Sequence, residues 1–138
     1  MKQISIFLEN RRGQLSQICR DLADAGINIV TLSLADTSDF GIVRMIVDDY
    51  EKAHETLTDK GHVVNVCKVV AVCVPDRVGG MAEVMAALDK AEVDIEYSYA
   101  FSEHKGEKAV LVFRFGDTAK AEAALAAAGF ATVESVEE

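Results

Sequence analysis

The sequence is short of positive charge: 14 Lys and Arg stand against 23 Asp and Glu in 138 residues, a formal net charge of −9. A nucleic-acid surface needs clustered Lys and Arg to neutralise phosphates, so that class is disfavoured, as is an anionic membrane surface. Cysteine is sparse, with Cys19, Cys67 and Cys73 and no CxxC pair. An odd count without that spacing fits neither a secreted disulfide framework nor a zinc knuckle; it reads as reduced thiols in a cytosolic protein. Long apolar runs are missing too. The longest fall far short of the ~20 residues a membrane helix needs, and Glu9 and Arg11 arrive before a signal-peptide core could form. A cytoplasmic location is therefore expected. His54, His62 and His104 show no ligand spacing, so no metal site is expected. No nucleophile elbow, P-loop, dinucleotide fingerprint or zinc-protease helix occurs, and no cofactor is expected. What remains is a chain that is 50% apolar and 27% charged, rich enough in apolar surface to offset its ordering entropy. Its length fits one ordinary domain or two small ones.

The chain is a duplication. Displaced by 66 positions, Asn10 falls on Asp76, Arg11 on Arg77, Gly13 on Gly79, Leu22 on Leu88 and Ile29 on Ile95. A two-residue insertion near Lys105 to Lys108 shifts the offset to 68, after which Asp49 meets Asp117, Leu57 meets Leu125 and Gly61 meets Gly129. Chance rarely keeps glycines, apolar positions and turn residues in step for so long. The boundary expected from this is one domain over 1–67 and another over 68–138.

Each half reads as strand, helix, strand, strand, helix, strand. Gln3 to Leu8 alternates, with Ile4, Ile6 and Leu8 on one face. Leu15, Ile18, Cys19 and Leu22 follow helical spacing, and Gly26 stands where a helix end favours positive φ. Ile27 to Leu34 and Ile42 to Val47 are predicted strands, Glu51 to Lys60 a helix, and Val63 to Cys67 a strand. In the second half, strands are predicted over Val69 to Val74, Val93 to Phe101, Ala109 to Phe115 and Phe130 to Val136. Helices are predicted around Met81 to Leu88 and over Ala119 to Ala128. The order βαββαβ, twice, predicts an α+β fold of two tandem ferredoxin-like sandwiches with antiparallel sheets. No Pro/Gly/Ser linker separates them, so rigid packing is expected. The third strands are apolar on both parities: Ile42 and Ile46 oppose Val43, Met45 and Val47, and Val110 and Val112 oppose Leu111, Phe113 and Phe115. A second apolar face calls for a cover; sheet-to-sheet or edge-to-edge contact within the chain is expected, and a homodimer besides.

Asn10-Arg11-Arg12-Gly13-Gln14-Leu15 followed by Ala25-Gly26-Ile27-Asn28-Ile29 resembles an ACT domain. Asp76-Arg77-Val78-Gly79-Gly80-Met81 followed by Ala91-Glu92-Val93-Asp94-Ile95 is the second copy. Glu92 departs from the usual glycine, which predicts a differently built turn there. The resemblance spans nearly the whole chain and implies a stand-alone tandem ACT protein. It implies a non-catalytic regulatory module that binds an amino acid at interfaces between paired domains. It implies ligand contacts along Asn10, Arg11, Gly13, Gln14 and Leu15, and along Asp76, Gly79, Gly80 and Met81.

The residues themselves support such a site. A glycine between strand and helix lets a ligand approach the backbone closely, and the helix N-terminus beyond it offers N–H groups and a positive dipole end suited to a carboxylate. Asn10 and Asp76, three residues earlier, can accept from an ammonium. Paired glycines and an acid favour the second corner. The same turn is also an ordinary capped connection. Asp36 and Ser38 of the Asp36-to-Gly41 hairpin offer polar groups to a ligand side chain, or close an Asx turn on themselves. Tyr97, Tyr99 and Phe101 share a strand face; core packing is the usual role of such a ladder, with Tyr99 the candidate for a ligand wall. Arg44 projects from mid-strand, towards an acid, a ligand carboxylate or solvent.

The leading reading is a sensor that binds an amino acid and acts in trans, as through a metabolic enzyme subunit. Alternatives are a small enzyme on a ferredoxin-like scaffold, or a structural regulatory subunit without ligand. An RNA-recognition module needs stacking aromatics on its central strands, and Gly41 to Asp48 has none. Copper carriage needs a thiol pair in the first loop, which is absent.

Overall fold

The computed structural model describes residues 1–9, 11–36 and 39–134. The chain divides into two compact units, one spanning Lys2–Cys67 and the other running from Lys68 onward and including Met1.

In the first unit the order is β1 (Lys2–Glu9), α1 (Gln14–Asp24), β2 (Ile29–Asp36), β3 (Phe40–Val47), α2 (Tyr50–Asp59) and β4 (Val63–Lys68). The sheet runs β2-β3-β1-β4, with β3 antiparallel to both β1 and β2. Ile4 and Ile6 on β1, with Val43, Met45 and Val47 on β3, meet Ile18 and Leu22 of α1 and Ala53 and Leu57 of α2 in one core. Both helices thus cover the same sheet face, as the alternation on β1 predicts. β2 starts two residues later than its apolar run. Ile27 still donates to the Leu22 carbonyl at the helix end (2.9 Å), and the Asn28 N–H is taken by the Asp48 carboxylate (3.0 Å).

The second unit repeats the plan with β5 (Val70–Pro75), α3 (Gly80–Lys90), β6 (Ile95–Lys105), β7 (Lys108–Phe115), α4 (Thr118–Ala127) and β8 (Thr132–Val133). Its sheet runs β6-β7-β5-β8, all pairs antiparallel. Val72, Phe113 and Phe115 pack against Val84, Leu88, Ala121 and Leu125. Phe113 and Phe115 stack with ring centroids 5.4 Å apart. The opposite sheet face has its own small apolar cluster of Ala71, Cys73 and Val110, joined by Met1, Phe101 and Val133. The second apolar parity of the third strand is therefore packed here. In the first unit Ile46 is buried while Ile42 and Arg44 are half-buried.

One expectation is corrected. The turn after α3 is built like the turn after α1, not differently. Glu92 takes φ 56, beside φ 74 at Gly26. Glu92 and Gly26 donate to Asp89 and Ala23, and Val93 and Ile27 to Leu88 and Leu22. The backbone pattern that ends both helices requires a left-handed residue, and in the second copy a glutamate accepts the strain.

Among the described residues no helix is long and apolar enough to cross a membrane, and Cys19, Cys67 and Cys73 form no disulfide.

Candidate functional site

The strand-to-helix turns of the two copies are superposable in their bonding. Arg11 and Arg77 donate backward to Glu9 and Pro75, Gln14 and Gly80 donate to Arg11 and Arg77, and Gln17 and Glu83 donate to Gly13 and Gly79. Gly13 has φ 91 and Gly79 φ 85, and each is the N-cap of its helix. A glycine brings no side-chain acceptor to the cap. The second helix of each copy is different: Asp49 accepts from the Lys52 N–H (3.1 Å) and Asp117 from the Lys120 N–H (3.0 Å). Each copy therefore carries one aspartate-capped helix and one glycine-capped helix. A side-chain β-carbon at Gly13 or Gly79 would meet nothing within 4 Å, so both corners are open in front of the α-carbon.

Gly80 has another reason. A β-carbon there would lie 1.9 Å from the Pro75 carbonyl oxygen. This glycine is buried and clears space for the chain's own backbone, where paired glycines read as room for a ligand.

The surroundings of the two corners diverge. At the second, Pro75, Asp76, Arg77, Glu107 and Lys108 line an open nook of about 450 Å³. Arg77 is held by both carboxylate oxygens of Glu83 (2.7 and 2.8 Å). At the first, two hollows flank Gln14 and His62. One, of about 400 Å³, is lined by Arg11, Arg12, Gly13, Gln14, Gln17 and His62. The other, of about 650 Å³, lies where β1 ends, β3 begins and α2 turns into β4; Phe7, Leu8, Phe40, Ile42 and Val63 form its apolar walls, and Glu9, Gln14 and His62 its polar side.

Behind this corner sits a buried carboxylate. Asp21 accepts from Gln17 Nε2 (2.8 Å) and lies 3.3 Å from His62 Nε2 and 3.9 Å from Lys60 Nζ. Burial pushes its pKa up, but hydrogen bonds from Gln17 and His62 and the charge of Lys60 outweigh it, leaving the carboxyl below its usual value. Gln17 also accepts from Arg20 (2.8 Å). Arg11 pairs with Glu9 at 2.9 Å.

The structure brings Arg11, Gly13 and Gln14 together at the first corner, and Asp76 and Arg77 at the second. Leu15 packs half-buried against the first core, while Met81 is exposed beyond Gly80. Asn10 and Ser38 lie outside the described residues. Asp36 pairs through its backbone with Gly41, which places the β2–β3 hairpin end beside the larger hollow, where Ala35, Phe40 and Gly41 line it. Tyr99 lies opposite Val112 within the sheet and is not part of the second nook's lining. His62 and Asp21 escaped the sequence reading, although one signal was present: the second copy has Phe130 and Ala87 at those positions. Among the described residues no group of three or more His, Cys, Asp and Glu could hold a metal ion.

No curated protein matches the chain. A crystal structure from Bacteroides thetaiotaomicron is similar at 36% identity and a TM-score of 0.89, covering 96% of this chain and 90% of that one. The regulatory subunit of aspartate kinase from Thermus thermophilus shares the fold, at 18% identity and a TM-score of 0.67, covering 91% of this chain and 89% of that one. The Thermus flavus counterpart does so at 19% identity and 0.66, covering 92% and 89%. Residues 1–136 match the family described as an ACT domain pair. Together with the duplicated βαββαβ fold and its two glycine-capped corners, that match establishes that the chain belongs to the ACT domain pair family.

Proposed function

We propose that the chain is a non-catalytic sensor that binds a free amino acid at one or both glycine corners and passes the bound state to a partner in trans. The observation that carries this reading is the unequal capping within each copy. The corner helices start at an open, left-handed glycine, while their neighbours are closed by aspartate. A ligand carboxylate supplies the missing acceptor at such a helix start. An acidic group nearby, Glu9 in the first copy and Asp76 in the second, receives the ammonium. One turn thereby holds both charged ends of a zwitterion.

The output would be linkage. A ligand shifts an arrangement only by its differential affinity for the two states. The partner would be a subunit of a metabolic enzyme, as the similar folds from Thermus are regulatory subunits of aspartate kinase. A cytoplasmic homodimer acting without cofactor completes the reading; exposed Leu32, Leu34 and Val66 supply apolar surface for self-association.

A thermal-shift screen against the standard amino acids tests it. At least one should raise the melting temperature with the logarithm of its concentration and be recovered unchanged. Chemical turnover of that ligand, or no shift with any of them, rejects the sensor.

A further inference from the structure

The two corners are chemically unequal. Where the first copy has Arg12, Gln14, Gln17, Asp21 and His62, the second has Val78, Gly80, Glu83, Ala87 and Phe130. Phe130 packs against the second core, Gly80 is pressed on the Pro75 carbonyl, and the nook that remains is walled by charged side chains. In the first copy His62 turns to Asp21 instead, and an apolar hollow of about 650 Å³ stays open beside the corner. Pockets that hold small ligands run to about 300–1,000 Å³ and combine apolar walls with a few convergent polar groups.

We infer, building on the sensor reading above, that the first corner alone is the working site and that its ligand is an amino acid with a large apolar side chain. The side chain occupies the space between Phe7, Phe40, Ile42 and Val63. The charged ends lie on the polar side, where Glu9 faces the ammonium and Arg12 with the start of α1 faces the carboxylate. Opposite charges at the shared rim, Glu9 on the apolar hollow and Arg12 on its neighbour, favour a zwitterion over an apolar protein segment; Glu9 exchanges its exposed pairing with Arg11 for the ammonium. Desolvating a polar ligand side chain against Phe7, Phe40 and Ile42 would cost binding energy with no hydrogen bond returned, so the hollow selects against serine and aspartate. His62 borders both hollows, and its bond to Asp21 sets the ring's orientation. It is a positioning residue for the polar rim.

Isothermal titration of the whole chain with L-leucine, L-phenylalanine, L-serine and L-aspartate tests this. The same titrations are run on Ala35→Trp, which fills the hollow from the exposed end of β2, on Phe40→Asp, which puts a charge in its wall, and on Asp76→Ala in the second copy. Leucine or phenylalanine should bind at least about tenfold more tightly than serine or aspartate. Ala35→Trp and Phe40→Asp should each weaken that binding by about tenfold or more, and Asp76→Ala should change it by less than about twofold. Tighter binding of a polar amino acid, or loss through Asp76→Ala with normal binding by the other two variants, overturns the inference and leaves the sensor reading standing. Sedimentation showing that Ala35→Trp breaks an oligomer, in a protein that binds neither apolar ligand, assigns the hollow to a second copy and overturns it as well.

Discussion

Nε2 of His62 lies 3.3 Å from Oδ2 of Asp21, joining the α2–β4 turn to the buried side of α1 across 41 positions of sequence. Asp21 is 3% exposed and His62 22%. The carboxylate also holds Gln17 and faces Lys60, so one buried group ties together the residues behind the first corner.

This gives a pH signature. Burial opposes ionisation of Asp21, but Gln17, His62 and Lys60 together hold its carboxyl below the ordinary value of 3.8. A depressed carboxyl contributes stability in full above its unfolded value, and that contribution disappears as pH falls through the lower native value. Asp21→Asn should therefore lower the urea midpoint at neutral pH, and the gap from the parent should narrow below pH 3.8. Urea titrations of both proteins across the acid range check this; a gap that stays constant below 3.8 contradicts it.

His62→Phe installs the residue of the second copy. The ring is half-buried at the rim rather than in the core, so the fold should persist, with a loss of about 1 kcal/mol for the hydrogen bond to Asp21. Amino-acid binding at the first corner should weaken by about tenfold. Calorimetry separates the two effects. Unchanged affinity would remove His62 from the site.

Glu92 holds a left-handed backbone that costs a side-chain-bearing residue about 1–2 kcal/mol. Glycine loses more entropy on folding, which takes back part of the gain. Glu92→Gly should thus stabilise the protein by up to about 1 kcal/mol and leave ligand binding alone. Chemical denaturation measures the first and titration the second. A lower stability would show that the Glu92 side chain contributes more than its strained backbone costs.

Leu57 is fully buried between α2 and the first sheet. Leu57→Ala should cost about 2–5 kcal/mol through lost burial and the cavity left behind. Leu125, its counterpart in the second unit, is equally buried and should behave alike. Denaturant unfolding of each variant reads the cost, and a value below about 1 kcal/mol would place the residue outside a tightly packed core.

The fold was legible because its determinants are local and repeated. Ile4, Ile6 and Leu8 share a strand face, Ile18 and Leu22 share a helix face, and Asp49 and Asp117 cap their helices as equivalent residues. Gly13 and Gly79 were visible as a matched pair, and both take positive φ. The candidate site was less legible, because what distinguishes its copies is tertiary. Gly80 answers to the Pro75 carbonyl, a contact made only once α3 docks against the end of β5. Glu92 conforms to a backbone pattern that its residue type disfavours. His62 had no metal-ligand spacing to mark it, and its partner Asp21 sits on another element. The larger hollow draws on β1, β2, β3 and the α2–β4 turn together, so no single stretch of sequence announces it.

A crystal structure of the chain grown with L-leucine is the most direct test of the central claim. The account predicts ligand density beside Gly13, with the aliphatic end between Phe7, Phe40 and Ile42, and an empty turn at Gly79. Density at Gly79, or at neither glycine despite a measured affinity, would contradict it.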